Sequence, residues 1–425
     1  MVNAMKIKNV TTVSLFLIVF LTHGPAWGGG AYLTEISSAE VGLASAGWAA
    51  RAQDAGTLFS NPAGMTRIKK NELYIGFQPM YFKLEFDPDS NTTVQGKYGD
   101  ASDWVMGGSA FYVHSISDDL KFGVGLLGHF GLGVDFGDKW VGRYYVTEGV
   151  MQGLTFVPSV AYRVNDWLSL GAGLDVMYVM FEQKAAMNNP DAPDGSFKLE
   201  ADDVAYGANL GILVEPKKGT RFGLHYISES DFELKDKPNF KNLGPTLDAV
   251  LGAAGLLDAS IKMDMTAPQS VMLSAFHDVN ERWAIMGNIG WQDWSEFGKV
   301  RIEVRSTDIT SMTLDNNYDD SWHTALGTQF KASESLLLSL GIAYDSSIVD
   351  DDDRTLDLPM GDSWRFGSGA HYKLRDNLDI SLAYELWWLG DLPVDVDDGP
   401  LTGRVSGEYD GTLVHVINVG LIRRF

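Results

Sequence analysis

The chain has 425 residues, none of them cysteine, and a formal net charge of −23. The missing cysteines exclude disulfide scaffolds, thiolate metal sites and cysteine nucleophiles, and the acidic balance makes nucleic acid a poor candidate partner. Glycine is abundant, with 46 residues, and no Pro/Ser-rich linker divides the chain, so we expect one large domain.

The chain begins with a pattern typical of a secretory signal peptide. Lys6 and Lys8 precede an apolar run from Val10 to Leu21, and small residues precede a potential cleavage site after Gly28. Because this run is shorter than the ~20 residues that a bilayer-spanning helix needs, we do not interpret it as an anchor. We predict a signal peptide over residues 1–28 and a mature chain outside the cytoplasm.

Strict alternation of apolar and polar residues marks the strands. From Leu168 to Met180 apolar side chains occupy every second position, and the pattern recurs at 336–344 and 378–388. Period two over this length is typical of a membrane-barrel strand, and several runs end in Trp or Tyr, as an interfacial girdle requires. The last stretch ends in Phe425 and resembles the terminal strand that the outer-membrane assembly machinery recognises.

Connection lengths predict the topology. Short polar turns lie at 115–119, 165–166, 215–219, 278–281, 331–334 and 375–377. Long connections lie at roughly 87–103, 131–152, 184–199, 233–260, 304–319, 346–361 and 390–402. Strict alternation of the two kinds predicts an all-β fold, a 14-stranded antiparallel transmembrane β-barrel with both termini on the short-turn side. A soluble sandwich or propeller, the structural alternative, would not need this alternation.

A barrel of this size raises the question of what fills its lumen. Eight strands are filled by their own side chains, whereas 16–18 strands leave an aqueous channel. The segment before the first strand is rich in Ala, Gly and Ser, which can pack tightly. We predict an N-terminal plug over residues 29–70 and a barrel over 71–425, and we interpret Pro62 as the residue that turns the chain from plug into wall.

Three stretches resemble the FadL family of outer-membrane long-chain fatty acid transporters, which includes the TodX-type aromatic hydrocarbon channels. Residues 29–65 are similar to the N-terminal hatch of that family, and Asn61-Pro62-Ala63 matches its Asn-Pro-Ala. Residues 129–146 resemble the stretch after the third strand, and residues 283–297 resemble the ninth strand. With the predicted strands and the terminal Phe425, the resemblance covers essentially the whole mature chain.

The resemblance implies passive uptake of a hydrophobic molecule, such as a long-chain fatty acid or hydrocarbon, across the outer membrane of a Gram-negative bacterium. In the family, outer loops capture the ligand, which moves to a tighter site in the lumen. The hatch then shifts, and a kink in the third strand opens the wall sideways into the bilayer. The resemblance also implies a monomer without cofactors, surrounded by outer-membrane lipid and lipopolysaccharide, with Asn61, Pro62 and Ala63 in the gate.

Two features fit this mechanism. Glycine weakens a ladder and permits a bulge, so Gly123, Gly125 and Gly128 are candidates for lateral opening in the third strand. A long outer connection carries apolar residues at helical spacing, which could form the wall of a capture groove or pack on the barrel rim. These groove candidates are Leu247, Val250, Leu251, Ala254 and Leu257.

A ligand carboxylate would need a cation. The candidates are Arg221, His225, Arg365 and His371, which alternation places in the lumen, and Arg143 in an outer loop. Each of them could instead be a structural partner of lumen acids such as Asp175, Asp345 or Glu385.

Other chemistry finds less support in the sequence. Four consecutive Asp, 350–353, could bind Ca²⁺, but such a run in an outer loop is more often solvated charge, so no metal site is predicted. Ser321 and His323 share a strand face, yet no third orienting group or oxyanion hole accompanies them, so we predict that the chain is not an enzyme. A general diffusion porin for polar solutes and a barrel whose acidic outer loops serve adhesion remain as alternative functions.

Overall fold

The computed structural model describes residues 33–306 and 309–425, so the predicted signal peptide lies outside the described residues. Fourteen strands form a closed antiparallel barrel in which each pairs with the next along the chain. We number them β1 to β14: Glu72–Lys83, Asp103–Ser115, Leu120–Asp135, Glu148–Asn165, Leu168–Met187, Gly195–Lys217, Thr220–Ile227, Ser270–Asp278, Trp283–Gln292, Ser321–Lys331, Leu336–Asp345, Ser363–Arg375, Leu378–Asp397 and Arg404–Arg424. Pairing of β14 with β1 closes the barrel, and the predicted fold class is confirmed.

The connections alternate in length around the barrel. Residues 116–119, 166–167, 218–219, 279–282, 332–335 and 376–377 form the short turns. Two of the predicted long connections are short loops, 188–194 and 398–403. They are short because the flanking strands β5, β6, β13 and β14 have 20 to 23 residues, about twice what a tilted strand needs to cross a bilayer.

The outer face of the barrel is apolar. Leu170, Leu174 and Leu382 are among the exposed hydrophobic side chains, whereas the alternate residues Ser169 and Asp175 are buried inside. This is the alternation expected of a wall with lipid outside and polar groups inside. Among the described residues, no helix is long and apolar enough to cross a membrane.

Residues 33–70 lie inside the barrel near the short turns. They form α1 (Ser38–Val41), α2 (Thr57–Ser60) and a 3₁₀-helix (Pro62–Arg67). The backbone of Asn61 is extended, its side-chain oxygen accepts a hydrogen bond from the Ala63 N–H, and Pro62 occupies the first helical position, where its missing donor costs nothing. Pro62 therefore begins a helix within the plug and does not itself turn the chain into the wall, whose first strand begins at Glu72.

The long connections build an outer cap. It contains α3 (Pro245–Ala253), α4 (Trp294–Phe297) and a separate four-stranded sheet of Ser230–Asp236, Ser260–Ala267, Lys299–Arg305 and Ile309–Asp315. Short strands at Glu85–Pro88, Gly99–Asp100 and Asn239–Lys241 extend the barrel wall. Cap and upper wall share the largest apolar cluster among the described residues, which includes Phe130, Phe181 and Phe297.

Candidate functional site: the plugged lumen

Asn61 fixes the plug to the wall. Its side-chain nitrogen donates to the carbonyl oxygen of Ala49, at 2.6 Å, and to that of Ile212 in β6, at 3.0 Å. Because its oxygen also caps the 3₁₀-helix, one fully buried amide joins two parts of the plug to one wall strand.

Glycines in the wall make room for the plug backbone. A Cβ atom on Gly211 of β6 would lie 2.0 Å from the Asn61 side-chain oxygen, and one on Gly171 of β5 would lie 2.2 Å from the Ala63 nitrogen. In β11, a Cβ atom on Gly341 would lie 1.8 Å from the Leu43 oxygen. The plug therefore touches the wall at van der Waals distance on opposite sides of the barrel.

Polar wall side chains bind the plug backbone. The hydroxyl of Tyr74 accepts from the Ser38 N–H at 2.9 Å, and Asn288 accepts from the Gly47 N–H at 2.8 Å. Arg221 donates to the carbonyl oxygens of Ala50 and Arg51, at 2.8 and 2.9 Å. Buried backbone groups that cannot pair within the short plug helices are satisfied by the barrel, as burial requires.

Two cavities lie above the plug. The upper cavity is mainly apolar, and Leu84, Trp294, Ile348, Met360, Trp387 and Leu389 are among its lining residues. The lower cavity is lined by plug residues Leu33, Trp48 and Phe59 and by wall residues that include His129, His225 and His323. Gln292 lines both cavities, so they are neighbours along the lumen.

A buried charged group lies at the boundary between the cavities. Arg365, which lines the upper cavity, pairs with Glu35 of the plug at 2.6 Å and with Asp345 of β11 at 2.7 Å. Its guanidinium carbon is 4.2 Å from the centre of the Trp387 ring, and His323 pairs with Asp345 at 2.8 Å. Arg365, one of the predicted lumen cations, therefore lies at an apolar cavity, and its charge is already neutralised by Glu35 and Asp345.

The third strand carries a bulge. Gly128 pairs with Leu154 and Phe130 with Gly153, so His129 is an extra residue in β3 opposite β4. The His129 carbonyl oxygen accepts a hydrogen bond from the Leu33 N–H of the plug at 2.7 Å. The centre of the His129 ring is 4.7 Å from that of the Phe59 ring.

The wall is unpaired next to this bulge. In the described ladders, β2 pairs with β3 only from Ser109 to Ser115, whereas residues 103–108 pair with β1 alone. Above Leu127, β3 pairs only with β4. The barrel therefore has a gap between the upper halves of β2 and β3, at the depth of the bulge.

The predicted opening glycines differ in their surroundings. A Cβ atom on Gly123 would lie 2.3 Å from Leu58 of the plug, and one on Gly125 would lie 2.9 Å from Phe111 and 3.1 Å from Leu58. Gly128 has only the Gly153 oxygen at 4.0 Å. Gly123 and Gly125 accommodate neighbouring side chains, and Gly128 is next to the bulge and the gap.

The other predicted cations have separate positions. His225 bonds to Asn209 at 2.8 Å and lines the lower cavity. His371 pairs with Asp379 at 2.9 Å, near the short turns. Arg143 pairs with Asp194 at 2.8 Å in the outer cap. The structure thus brings Arg365 and His225 to the two cavities, and it does not bring Arg143, Arg221 or His371 to either.

The predicted groove residues lie on or near α3. Leu247 and Leu251 are buried in the large apolar cluster, and Ala254 and Leu257 pack against it while partly exposed; Val250 is also partly exposed. The helix thus packs on the cap and rim.

Two important residues were missed from the sequence. Glu35 lies in the plug, where no periodic pattern distinguishes it from its neighbours. The importance of His129 depends on the bulge, which the sequence does not locate. A carboxylate within a small, apolar segment was the one available signal for Glu35, since burying it requires a partner. No group of three or more potential metal ligands occurs in the described parts of the chain.

An apolar belt, a closed barrel and a plug bound inside it define an outer-membrane β-barrel with an occluded lumen. The model of the family described as outer membrane protein transport protein (OMPP1/FadL/TodX) matches residues 19–425, and the chain belongs to this family. The predicted resemblance and outer-membrane location are thereby confirmed. The family consists of transport channels, so the prediction that the chain is not an enzyme is confirmed as well.

Individual relatives agree along most of the chain. The long-chain fatty acid transport protein of Escherichia coli O6:H1 is 27% identical over 378 residues, which cover 81% of this chain and 83% of that protein. Outer membrane protein P1 of Haemophilus influenzae is 24% identical over 391 residues, covering 79% and 83%.

Solved structures share the fold. A Pseudomonas aeruginosa FadL homologue matches with a TM-score of 0.83 at 21% identity, covering 92% of this chain and 98% of that one. The Pseudomonas putida toluene transporter TodX matches with a TM-score of 0.66 at 17% identity, covering 87% and 94%.

Proposed function

We propose that this protein takes up hydrophobic molecules, with long-chain fatty acids as the first candidate, by passive transfer across the outer membrane. The observation that carries the proposal is an apolar cavity above a tightly bound plug, next to a gap in the wall at β3. Relatives named as long-chain fatty acid transport proteins, and structural neighbours named as toluene transporters, support a hydrophobic ligand.

Capture begins at the outer cap. Its apolar cluster contains five buried methionines, Met151, Met177, Met187, Met263 and Met265. Methionine is unbranched and flexible, so such a lining adapts to ligands of different shape. The cap, including α3, would therefore open to admit an acyl chain and repack around it.

Affinity in the lumen comes mainly from the apolar chain. Burial stabilises by about 0.8 kcal/mol per methylene, so a C16 chain outweighs one charged hydrogen bond of about 1.5–3 kcal/mol. Arg365 would bind the carboxylate and set the preference for the head group, while residues such as Trp387 contact the chain.

Exit is sideways. The gap beside β3 lacks ladder hydrogen bonds that would otherwise have to break, and the plug contacts the bulge through Leu33 and Phe59. A shift of residues 29–70, the proposed hatch, with Asn61, Pro62 and Ala63 as its attachment to the wall, would connect the lower cavity with the gap and release the ligand into the bilayer.

The apolar belt and the last strand also indicate what surrounds the barrel and what assembles it. The exposed apolar belt would contact lipopolysaccharide in the outer leaflet and phospholipid in the inner one. Phe425, 64% exposed at the end of β14, would be recognised by the barrel assembly machinery. Since β1 and β14 pair along the seam, the barrel is complete as a monomer.

A general diffusion porin is disfavoured by the plug, which is hydrogen-bonded to the wall on many strands. The adhesion alternative finds no specific support in the described cap.

Uptake by cells tests the proposal. Cells carrying the intact protein should accumulate radiolabelled palmitate, and replacement of Asn61-Pro62-Ala63 by Ala-Gly-Ala should abolish accumulation while the barrel still assembles. Entry of labelled toluene without palmitate would favour a hydrocarbon channel, and entry of neither compound would overturn the proposal.

A further inference from the structure

Glu35 occupies the position that a ligand carboxylate would take on Arg365. Its side chain is 1% exposed, and its Oε1 atom lies 2.6 Å from Nη1 of Arg365. Arg365 is 4% exposed and lines the upper cavity. An incoming carboxylate that binds the Nη1 edge of this guanidinium would therefore have to displace Glu35.

Of the two acids, Glu35 is held more weakly. Asp345 belongs to wall strand β11 and also pairs with His323 at 2.8 Å. Among the described residues, Glu35 has one basic partner, Arg365, and the carboxyl group of Glu385 lies beside it. Asp345 has two basic partners, Arg365 and His323. Displacement of Glu35 therefore costs less than displacement of Asp345.

Glu35 is also joined to the exit. Two residues before it, the Leu33 N–H donates to the His129 carbonyl oxygen in the β3 bulge at 2.7 Å. Leu33 and Thr34 line the lower cavity. Movement of residues 33–35 would thus remove part of the lower cavity wall and free the bulge in one step.

We propose that Glu35 is an internal competitor for the ligand carboxylate on Arg365, and that its displacement releases residues 33–35 from the β3 bulge. This inference rests on the proposed function. It makes Glu35 a specificity-determining residue, because a fatty acid competes with it whereas a neutral ligand does not. Wild-type protein then binds a carboxylate less tightly than Arg365 alone would allow, since part of the binding free energy is used to displace Glu35.

The test compares a carboxylate with a neutral ligand of the same length. Binding of palmitate and of hexadecanol is measured on the purified full-length protein in detergent, for wild type, Glu35→Gln and the exposed turn variant Glu281→Gln. Glutamine keeps the size of the side chain and removes its charge. Glu35→Gln should bind palmitate about tenfold more tightly than wild type and hexadecanol with unchanged affinity, and Glu281→Gln should match wild type for both ligands.

A second variant keeps the test decisive if Glu35→Gln does not fold. Thr34→Val removes a hydroxyl that donates to Glu35 at 3.1 Å without changing any charge, and it should raise the palmitate-to-hexadecanol affinity ratio, by a smaller factor. If wild type binds both ligands and both variants leave the palmitate-to-hexadecanol affinity ratio unchanged, the competition is wrong while the proposed function survives. If wild type binds neither ligand, the proposed function fails, and this inference fails with it.

Discussion

At the scale of single residues, the plug is held by groups that a small change would disturb. Asn61 is 0% exposed and donates to two backbone carbonyl oxygens. Each buried acceptor left unsatisfied costs about 1–3 kcal/mol. Asn61→Ala should therefore loosen the plug, and single-channel conductance in planar bilayers should rise from a closed to a fluctuating open level.

Asn61→Asp should be at least as severe, because a carboxylate would face the same two carbonyl oxygens without a donor. Unchanged conductance for both variants would contradict the assigned role of the amide.

A second prediction at this scale concerns the wall glycines that contact the plug. Gly211→Val would drive a side chain into Asn61, since even a Cβ atom would lie 2.0 Å from its oxygen. We expect the variant to assemble as a barrel with a displaced plug and raised conductance. Gly133→Ala is the matched control, because its added Cβ would meet nothing closer than 3.5 Å; a rise in conductance for this control as well would show that the effect is not specific to the plug contact.

The stability of one outer loop should depend on pH because of a buried carboxyl group. Burial raises the pKa of Asp357 to about 7, and its Oδ2 atom has no hydrogen-bond partner among the described residues. The folded loop therefore holds a proton that the unfolded loop releases near its ordinary pKa of 3.8. The stability of the loop should fall as pH rises from about 4 to 7 and then remain constant.

Tryptic cleavage after Arg354, which is buried in the same loop, measures this effect. The ratio of cleavage rates, wild type over Asp357→Asn, should increase from pH 5 to pH 8, because asparagine stays neutral. A constant ratio would show that the carboxyl does not control the loop.

At the scale of elements, α3 links the cap to the apolar cluster. Leu251 is 0% exposed within that cluster. Truncation of a buried leucine to alanine typically costs about 2–5 kcal/mol, so Leu251→Ala should weaken capture. The palmitate concentration for half-maximal uptake should rise while the maximal rate stays the same, whereas exposed Asp248→Ala should change neither.

The strands and the plug differ in how far sequence predicts them. Alternation and turn spacing locate all fourteen strands, because lipid outside and polar groups inside impose period two on every one. The bulge in β3 was not predictable as a position: its glycines permit it, but the extra residue depends on the register against β4. The contacts of Glu35 and Gly211 could not be predicted for the same reason, since their partners lie far away along the chain and only the folded register brings them together.

At the scale of the whole molecule, barrel closure, plug and gap act together. Closure satisfies every sheet edge that faces lipid except where β2 and β3 separate, and the plug blocks the direct path through the lumen. In the proposed mechanism, a hydrophobic ligand leaves such a barrel through the wall into the bilayer, a route that a polar solute cannot follow. The net charge of −23 belongs to the chain as a whole, whereas the charge of Arg365 is neutralised locally by Glu35 and Asp345.

The most direct measurement is uptake of radiolabelled palmitate by cells carrying either the intact protein or a variant without His129. Deletion of the extra residue restores regular pairing of β3 with β4 and keeps the inward direction of Phe130. The purified variant should still bind palmitate, uptake should be lost, and a polar solute such as ampicillin should enter with neither protein. Uptake at the wild-type rate by the deletion variant, or entry of ampicillin through the intact protein, would contradict lateral transfer through a plugged barrel.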